Sequence, residues 1–142
     1  MKYAVRYTSR GGNTKAVAEL IAQEAGVEAL RVFEPLTEEV DVLFLGAGVW
    51  FMNVTKEMKE FLAHLDKNRI KKIVVFSTSA DLDSATKVIK GAANKAGIPV
   101  DDRSLTLKLG FQGFSLMAPA GGDLKPAQVQ KVKEFADQVL TK

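Results

Sequence analysis

Residues 2–14 read Lys-Tyr-Ala-Val-Arg-Tyr-Thr-Ser-Arg-Gly-Gly-Asn-Thr. A short apolar strand runs into a loop of hydroxyls and glycines. A helical pattern then starts at once, with Val17, Leu20, Ile21 and Ala25 on one face and Gly26 as its stop. A parallel strand that ends at a helix N-terminus presents unpaired N–H groups and the positive end of the helix dipole, so this junction predicts an anion site. Its candidate groups are Thr8, Ser9, Arg10, Gly11, Gly12, Asn13 and Thr14, which combine hydroxyl and amide side chains, a guanidinium and glycine backbone suited to a phosphate. The alternative is a plain strand-to-helix turn.

The same alternation continues along the chain. Apolar, β-branched runs at 28–33, 41–48 and 72–79, with a weaker one at 104–109, predict further strands. Helical stripes separate them: Val54, Met58, Phe61, Leu62 and Leu65; then Ala85, Val88, Ile89, Ala92, Ala93 and Ala96, capped by Asp83 or Ser84 and stopped by Gly97 and Pro99. A last helix starts near Pro126 and carries Val129, Val132, Ala136, Val139 and Leu140. The runs at 41–46 and 72–76 are continuous rather than alternating, as strands covered on both faces are. Alternating strands and helices therefore predict a three-layer α/β/α doubly wound parallel sheet. Residues 34–40 are too short for a crossover helix and leave room for a single turn, and 110–123 form a long irregular connection.

At 142 residues the expectation is one domain, 1–142, with a composition (46% hydrophobic, 26% charged) in the range of ordinary globular proteins rather than disordered or membrane-embedded ones. No apolar run approaches the roughly 20 residues of a membrane span, which makes the cytoplasm the expected location. The absence of cysteine excludes disulfides, thiolate metal sites and a cysteine nucleophile, and with the last of these a cysteine-dependent phosphatase reading of the loop. Lysine and arginine are scattered rather than clustered at a net charge of +3, which favours a solvated surface over nucleic-acid binding.

In a doubly wound sheet, ligands sit beyond the carboxyl ends of the strands where the winding reverses. Three segments then converge: 8–14, 47–53 and 77–83. The second offers Gly48, Val49, Trp50, Phe51 and Met52; the third offers Ser77, Thr78, Ser79 and Asp81. A phosphate grip beside an aromatic wall and a hydroxyl-rich wall suits a nucleotide-like ligand with a planar ring. Trp50 follows a strand rather than lying within it, where a ring is exposed unless something stacks on it, although a core position is the alternative. His64, with Glu60 and Asn68 four residues to either side, is expected on a wet helix face.

The stretch Thr8-Ser9-Arg10-Gly11-Gly12-Asn13-Thr14 resembles the phosphate loop of the flavodoxins, Asp41 to Trp50 resembles their third strand with its flavin-stacking aromatic, and Lys72 to Ser79 resembles their fourth. The resemblance covers essentially the whole chain. It implies a five-stranded sheet in the order 2-1-3-4-5 and a non-covalent FMN. Ser9, Gly12, Asn13 and Thr14 would then hold the phosphate, Trp50 would cover one face of the ring, and the backbone of Ser79, Ala80 and Asp81 would meet its other edge. There are departures: Gly11 replaces a loop hydroxyl, residues 77–90 contain no tyrosine and leave Leu82 in its place, and Phe51 and Met52 stand where a small residue is usual. The chain is also basic where flavodoxins are acidic. The implied function is an FMN electron carrier between redox partner proteins, acidic ones by charge matching. The alternatives are an FMN-dependent reductase or oxidase acting on a quinone- or porphyrinogen-like acceptor, and a cofactor-free module of the same fold.

Overall fold

The first apolar run forms β1 (Tyr3–Tyr7), an inner strand paired in parallel on both sides, with β2 (Ala29–Arg31) and with β3 (Val42–Ala47). The structure, a computed structural model, describes residues 2–8, 13–34, 36, 38–47, 56–77, 84–106 and 126–140. In chain order β1 is followed by α1 (Asn13–Ala25), β2, β3, α2 (Lys56–Ala63), β4 (Ile73–Ser77), α3 (Ser84–Ala96), β5 (Leu105–Thr106) and α4 (Pro126–Leu140). The five strands are all parallel and lie in the order β2-β1-β3-β4-β5, as the resemblance implied.

Alternation along the strands sorts the core into two layers. Val5, Tyr7, Val42, Phe44, Val74 and Phe76 point to one face and pack on α1 and α4 through Val17, Ile21, Val132 and Phe135. Leu43, Leu45, Ala47, Ile73 and Val75 point to the other and pack on α2 and α3 through Met58, Leu62, Ile89 and Ala93. Every residue of β3 and β4 is buried, which is the physical origin of their unbroken apolar runs. The buried stripe of α1 comprises Val17, Ala18, Ile21 and Ala22, so the helix turns slightly away from the expected face and leaves Leu20 and Ala25 half-buried. Gly26 and Gly97 stop α1 and α3 with φ of 75° and 79°, a left-handed backbone that only glycine adopts readily.

The edge strand β2 is shorter than the 28–33 run: it pairs only with β1 and gives way at Val32 to a turn in which the Glu34 amide donates to the Arg31 carbonyl, 2.9 Å. Helix α2 ends at Ala63, short of the expected Leu65. His64 is exposed, as expected, with Nδ1 2.8 Å from the Glu60 carbonyl, but Asn68 lies in the following turn, where its amide donates to the Asp66 side chain. The expected strand ends at 48, 78–79 and 107–109, the cap at Asp83, the inward residue Val54 and the connection 110–123 lie outside the described residues.

Two features carry the packing. On the α1–α4 face, the register places Tyr7, Gly46 and Phe76 side by side, and the Phe76 ring fills the space a side chain at Gly46 would need. At the amino edge, Asp101 is clasped by Arg103, whose Nε and Nη2 donate to the two carboxylate oxygens at 2.9 and 2.8 Å, and by Lys72 at 3.0 Å. Arg103 Nη1 also donates to the Gln138 carbonyl, 2.6 Å, tying the end of α4 to the strand that leads into β5. The Arg103 hydrogen bonds outweigh burial and hold the Asp101 carboxyl well below the usual carboxylate range.

Gly46→Ala is expected to destabilise by about 1–3 kcal/mol, because the fully buried Phe76 ring has nowhere to move. In a Phe76→Leu background the same change should cost less, and a urea-denaturation double-mutant cycle measures the coupling. Asp101→Asn should cost about 1–3 kcal/mol at pH 7, since its partners are themselves partly solvated. The sign with pH follows from the depressed value: the contribution is complete above the unfolded carboxylate range, near 4, and is lost as pH falls toward the folded value. The stability gap between wild type and Asp101→Asn should therefore be flat from pH 7 to about 5 and close in more acidic solution.

Candidate functional site

The winding of the sheet reverses between β1 and β3, the two strands that leave β1 with α1 on one face and β3 with α2 on the other. At their carboxyl ends the chain is held by backbone on both sides: the Thr8 amide donates to the Gly46 carbonyl, 3.1 Å, and the Val32 amide to the Tyr7 carbonyl, 3.1 Å. In-register pairing of Tyr7 with Gly46 and of Ala47 with Ser77 places Thr8, Ala47 and Ser77 in one row across the sheet edge. Two hydroxyls thus flank a methyl group at the opening of the crevice.

Thr8 is 2% exposed, and its Oγ1 has no hydrogen-bond partner among the described residues. A buried hydroxyl left unpaired costs about 1–3 kcal/mol. Its position explains the cost: it stands where the chain leaves β1 for the N-terminus of α1. That helix has no acidic residue in its first turn to complement the exposed N–H groups. Thr14, the second residue of α1, is also buried. A buried hydroxyl without a partner among the described residues, a helix start without its own acid and a further buried threonine together fit an anionic group such as a phosphate.

Arg6 was missed by the sequence reading. It lies on the inner strand β1, 7% exposed, on the same face as Thr8 and two residues before it. Its Nε donates to the Glu34 carbonyl, 2.9 Å, and its Nη1 to the Val5 carbonyl, 3.1 Å. Burial pushes the guanidinium below its ordinary value while the Glu34 carboxylate opposes that shift, and an arginine so placed stays charged at neutral pH. The signal was available, because a charged residue inside a Tyr-Ala-Val-Arg-Tyr strand must be paired if the strand is covered on both faces. Arg6 adds a fixed positive charge close behind the anion crevice and ties the segment after β2 to β1.

Of the expected site residues, the structure brings Thr8, Asn13 and Thr14 to the carboxyl edge, and Ser77 joins them at the end of β4. Ser9, Arg10, Gly11, Gly12, Gly48, Val49, Trp50, Phe51, Met52, Thr78, Ser79, Ala80 and Asp81 lie outside the described residues. Each belongs to a segment that directly continues one of the three strands ending at this edge. Helix α2 runs back from it, so His64, after the last turn of α2, lies toward the amino edge and away from the crevice.

Among solved structures, an archaeal flavodoxin superposes with a TM-score of 0.76 at 18% identity, covering 99% of this chain and 97% of its own. Flavodoxin 2 of Bacillus cereus gives 0.73 at 21%, covering 99% of each chain. A flavoprotein of Lactobacillus acidophilus, solved in complex with FMN, gives 0.56 at 18%, covering 77% of this chain and 94% of its own. At such identities the likeness shows the fold. No curated protein matches the chain by sequence. The family model for the flavodoxin domain matches residues 4–105, from the second residue of β1 to the first of β5, and the chain belongs to the flavodoxin-domain family.

Proposed function

We propose that this protein binds FMN without a covalent bond and carries electrons between redox partners. The observation that carries this reading is the buried Thr8 hydroxyl, without a hydrogen-bond partner among the described residues, at the end of β1 and at the reversal point of the sheet, in the chain that leads to a helix with no acid in its first turn. Family membership and a neighbour solved with FMN agree with it. In this reading Thr8, Asn13 and Thr14, with the backbone and side chains of 9–12, hold the phosphate. Trp50, flanked by Gly48, Val49, Phe51 and Met52, covers one face of the ring, and Thr78 to Asp81 meet the opposite edge. Bound flavin supplies reversible electron uptake and release, while the protein supplies binding, orientation and the surrounding charge.

FMN is expected to bind more tightly than riboflavin by isothermal titration, and equal affinities would remove the phosphate from the argument. Thr8→Val keeps the shape and deletes the unpaired hydroxyl. The apoprotein should be as stable as wild type or more so in urea, while FMN affinity falls by about 1.5–3 kcal/mol and riboflavin affinity is unchanged. A variant that loses stability without losing FMN affinity would show that the hydroxyl serves the fold.

Trp50→Ala should weaken FMN binding by about 1–3 kcal/mol, as loss of a stacked ring does. Tryptophan fluorescence, which reports this one residue, should be quenched when FMN binds to the wild type. Unquenched emission from the loaded protein would place the ring elsewhere.

A further inference from the structure

On the flank of the molecule a groove of about 430 Å³ runs between α2 and the segment that follows β2. Its floor is apolar, formed by Val32, Leu36, Leu65 and Ile70. Both walls are held in place. The segment after β2 is pinned by three hydrogen bonds: Val32 N–H to the Tyr7 carbonyl at 3.1 Å, Arg6 Nε to the Glu34 carbonyl at 2.9 Å, and Arg69 Nη1 to the Leu36 carbonyl at 2.7 Å. Helix α2 is anchored by buried Met58 and Leu62. The groove is therefore built into the folded chain and needs no rearrangement to open.

Its rim carries Phe33, 63% exposed and the one large hydrophobic residue so exposed among the described residues. The Arg31 guanidinium lies 5.4 Å from the Phe33 ring centroid and steadies it at the edge. Across the groove, α2 presents Glu57, Glu60 and Phe61, and His64 follows in the turn after it, positions that share a stripe at helical spacing. The lysines of the same helix, Lys56 and Lys59, are exposed and do not line it. The charges inside are unbalanced: Arg69 faces Asp66 at 3.9 Å, while Glu57 and Glu60 enter no ion pair among the described residues. On a chain with a net charge of +3, this is a locally acidic, apolar-floored slot edged by two aromatic rings.

We propose that this groove docks a basic amphipathic segment of a partner protein, with an aliphatic or aromatic side chain seated on the Leu36–Leu65 floor between Phe33 and Phe61, and a lysine or arginine on each side reaching Glu57 and Glu60. Charge complementarity selects this occupant. An apolar anchor gains from leaving water on the floor, two carboxylates without ion-pair partners among the described residues match flanking cations, and an acidic segment would be repelled from the same place. The net charge acts on approach at long range; the local pair of carboxylates acts at contact, inside a Debye length. The identity of this occupant as a redox partner rests on the electron-carrier reading, but the binding itself does not. The groove's upper wall is bonded to Tyr7, the residue before Thr8, so a docked segment would lie on the flank adjoining the anion crevice.

The test uses the full-length protein, ¹⁵N-labelled, and two short synthetic peptides, one alternating lysine with leucine around a central phenylalanine and one with glutamate in place of each lysine. The lysine peptide should shift amide resonances of Val32–Glu34 and Glu57–Leu65 and leave those of α4 in place. The Glu57→Gln/Glu60→Gln double variant, and separately Phe33→Ala, should weaken it about tenfold or more. Lys56→Gln/Lys59→Gln, one stripe away, should not weaken it, and the glutamate peptide should not bind. Unchanged affinity in Glu57→Gln/Glu60→Gln or Phe33→Ala, shifts centred elsewhere, or equal binding of the glutamate peptide would overturn the proposal. All substituted side chains are at least partly exposed, and the wild-type spectrum checks the fold of each variant. An FMN titration of the same samples separates the two readings: FMN binding without peptide binding defeats the groove alone, and peptide binding without FMN defeats the carrier alone.

Discussion

The double parallel pairing of β1 is the constraint on which the rest of the molecule depends. A strand paired in parallel with both the strand after it and the one after that must send one crossover to each face of the sheet, because a parallel neighbour is reached only by a connection that crosses over. One helix pair then covers each face, and the crossovers diverge above the carboxyl ends of β1 and β3. The crevice is what diverging leaves behind. The row Thr8, Ala47 and Ser77 lies at its base, and hydrogen bonds hold Tyr7 and Thr8 to neighbouring backbone on both sides.

The two edges of this sheet divide labour. At the amino edge polar groups are mutually satisfied: Asp101 has Arg103 and Lys72, and Arg103 has the end of α4 as well. At the carboxyl edge the Thr8 hydroxyl is buried without a partner among the described residues, and α1 begins without an acid. A polar group left unsatisfied inside a protein is costly. This one stands at the end where the chain reverses its winding rather than at the end where it is clasped, which is why the proposed binding site is put there.

Arg6 connects the crevice to the flank. A charged residue on an inner strand is tolerated because the guanidinium reaches the main-chain carbonyls of Val5 and Glu34 and lies in the field of the Glu34 carboxylate. The same hydrogen bond holds one wall of the groove beside α2, so a single buried cation contributes positive potential behind the anion crevice and order to the neighbouring surface. Gly46 plays the complementary steric part on the opposite face, where the absence of a side chain lets the Phe76 ring close the layer beneath α1 and α4.

Much of this was legible along the chain. Continuous apolar runs at 41–46 and 72–76 announced strands buried on both faces, since hydrophobic burial acts on every residue of such a strand and leaves no polar face to read. Gly26 and Gly97 marked helix ends because only glycine takes the required φ cheaply. The hydroxyl- and glycine-rich loop after β1 led to the proposed anion site, because strand exit and helix start are adjacent in sequence. What depends on residues distant in sequence was not legible. That Thr8 would be buried without a partner among the described residues, that Gly46 must be glycine because of Phe76, that Arg6 would bond Glu34, and that Phe33 would stand exposed beside Glu57 and Glu60 follow from strand order and register. The order of the strands itself came from a family resemblance rather than from periodicity. Periodicity reports which face of an element is buried; only the assembled sheet decides which other element it is buried against.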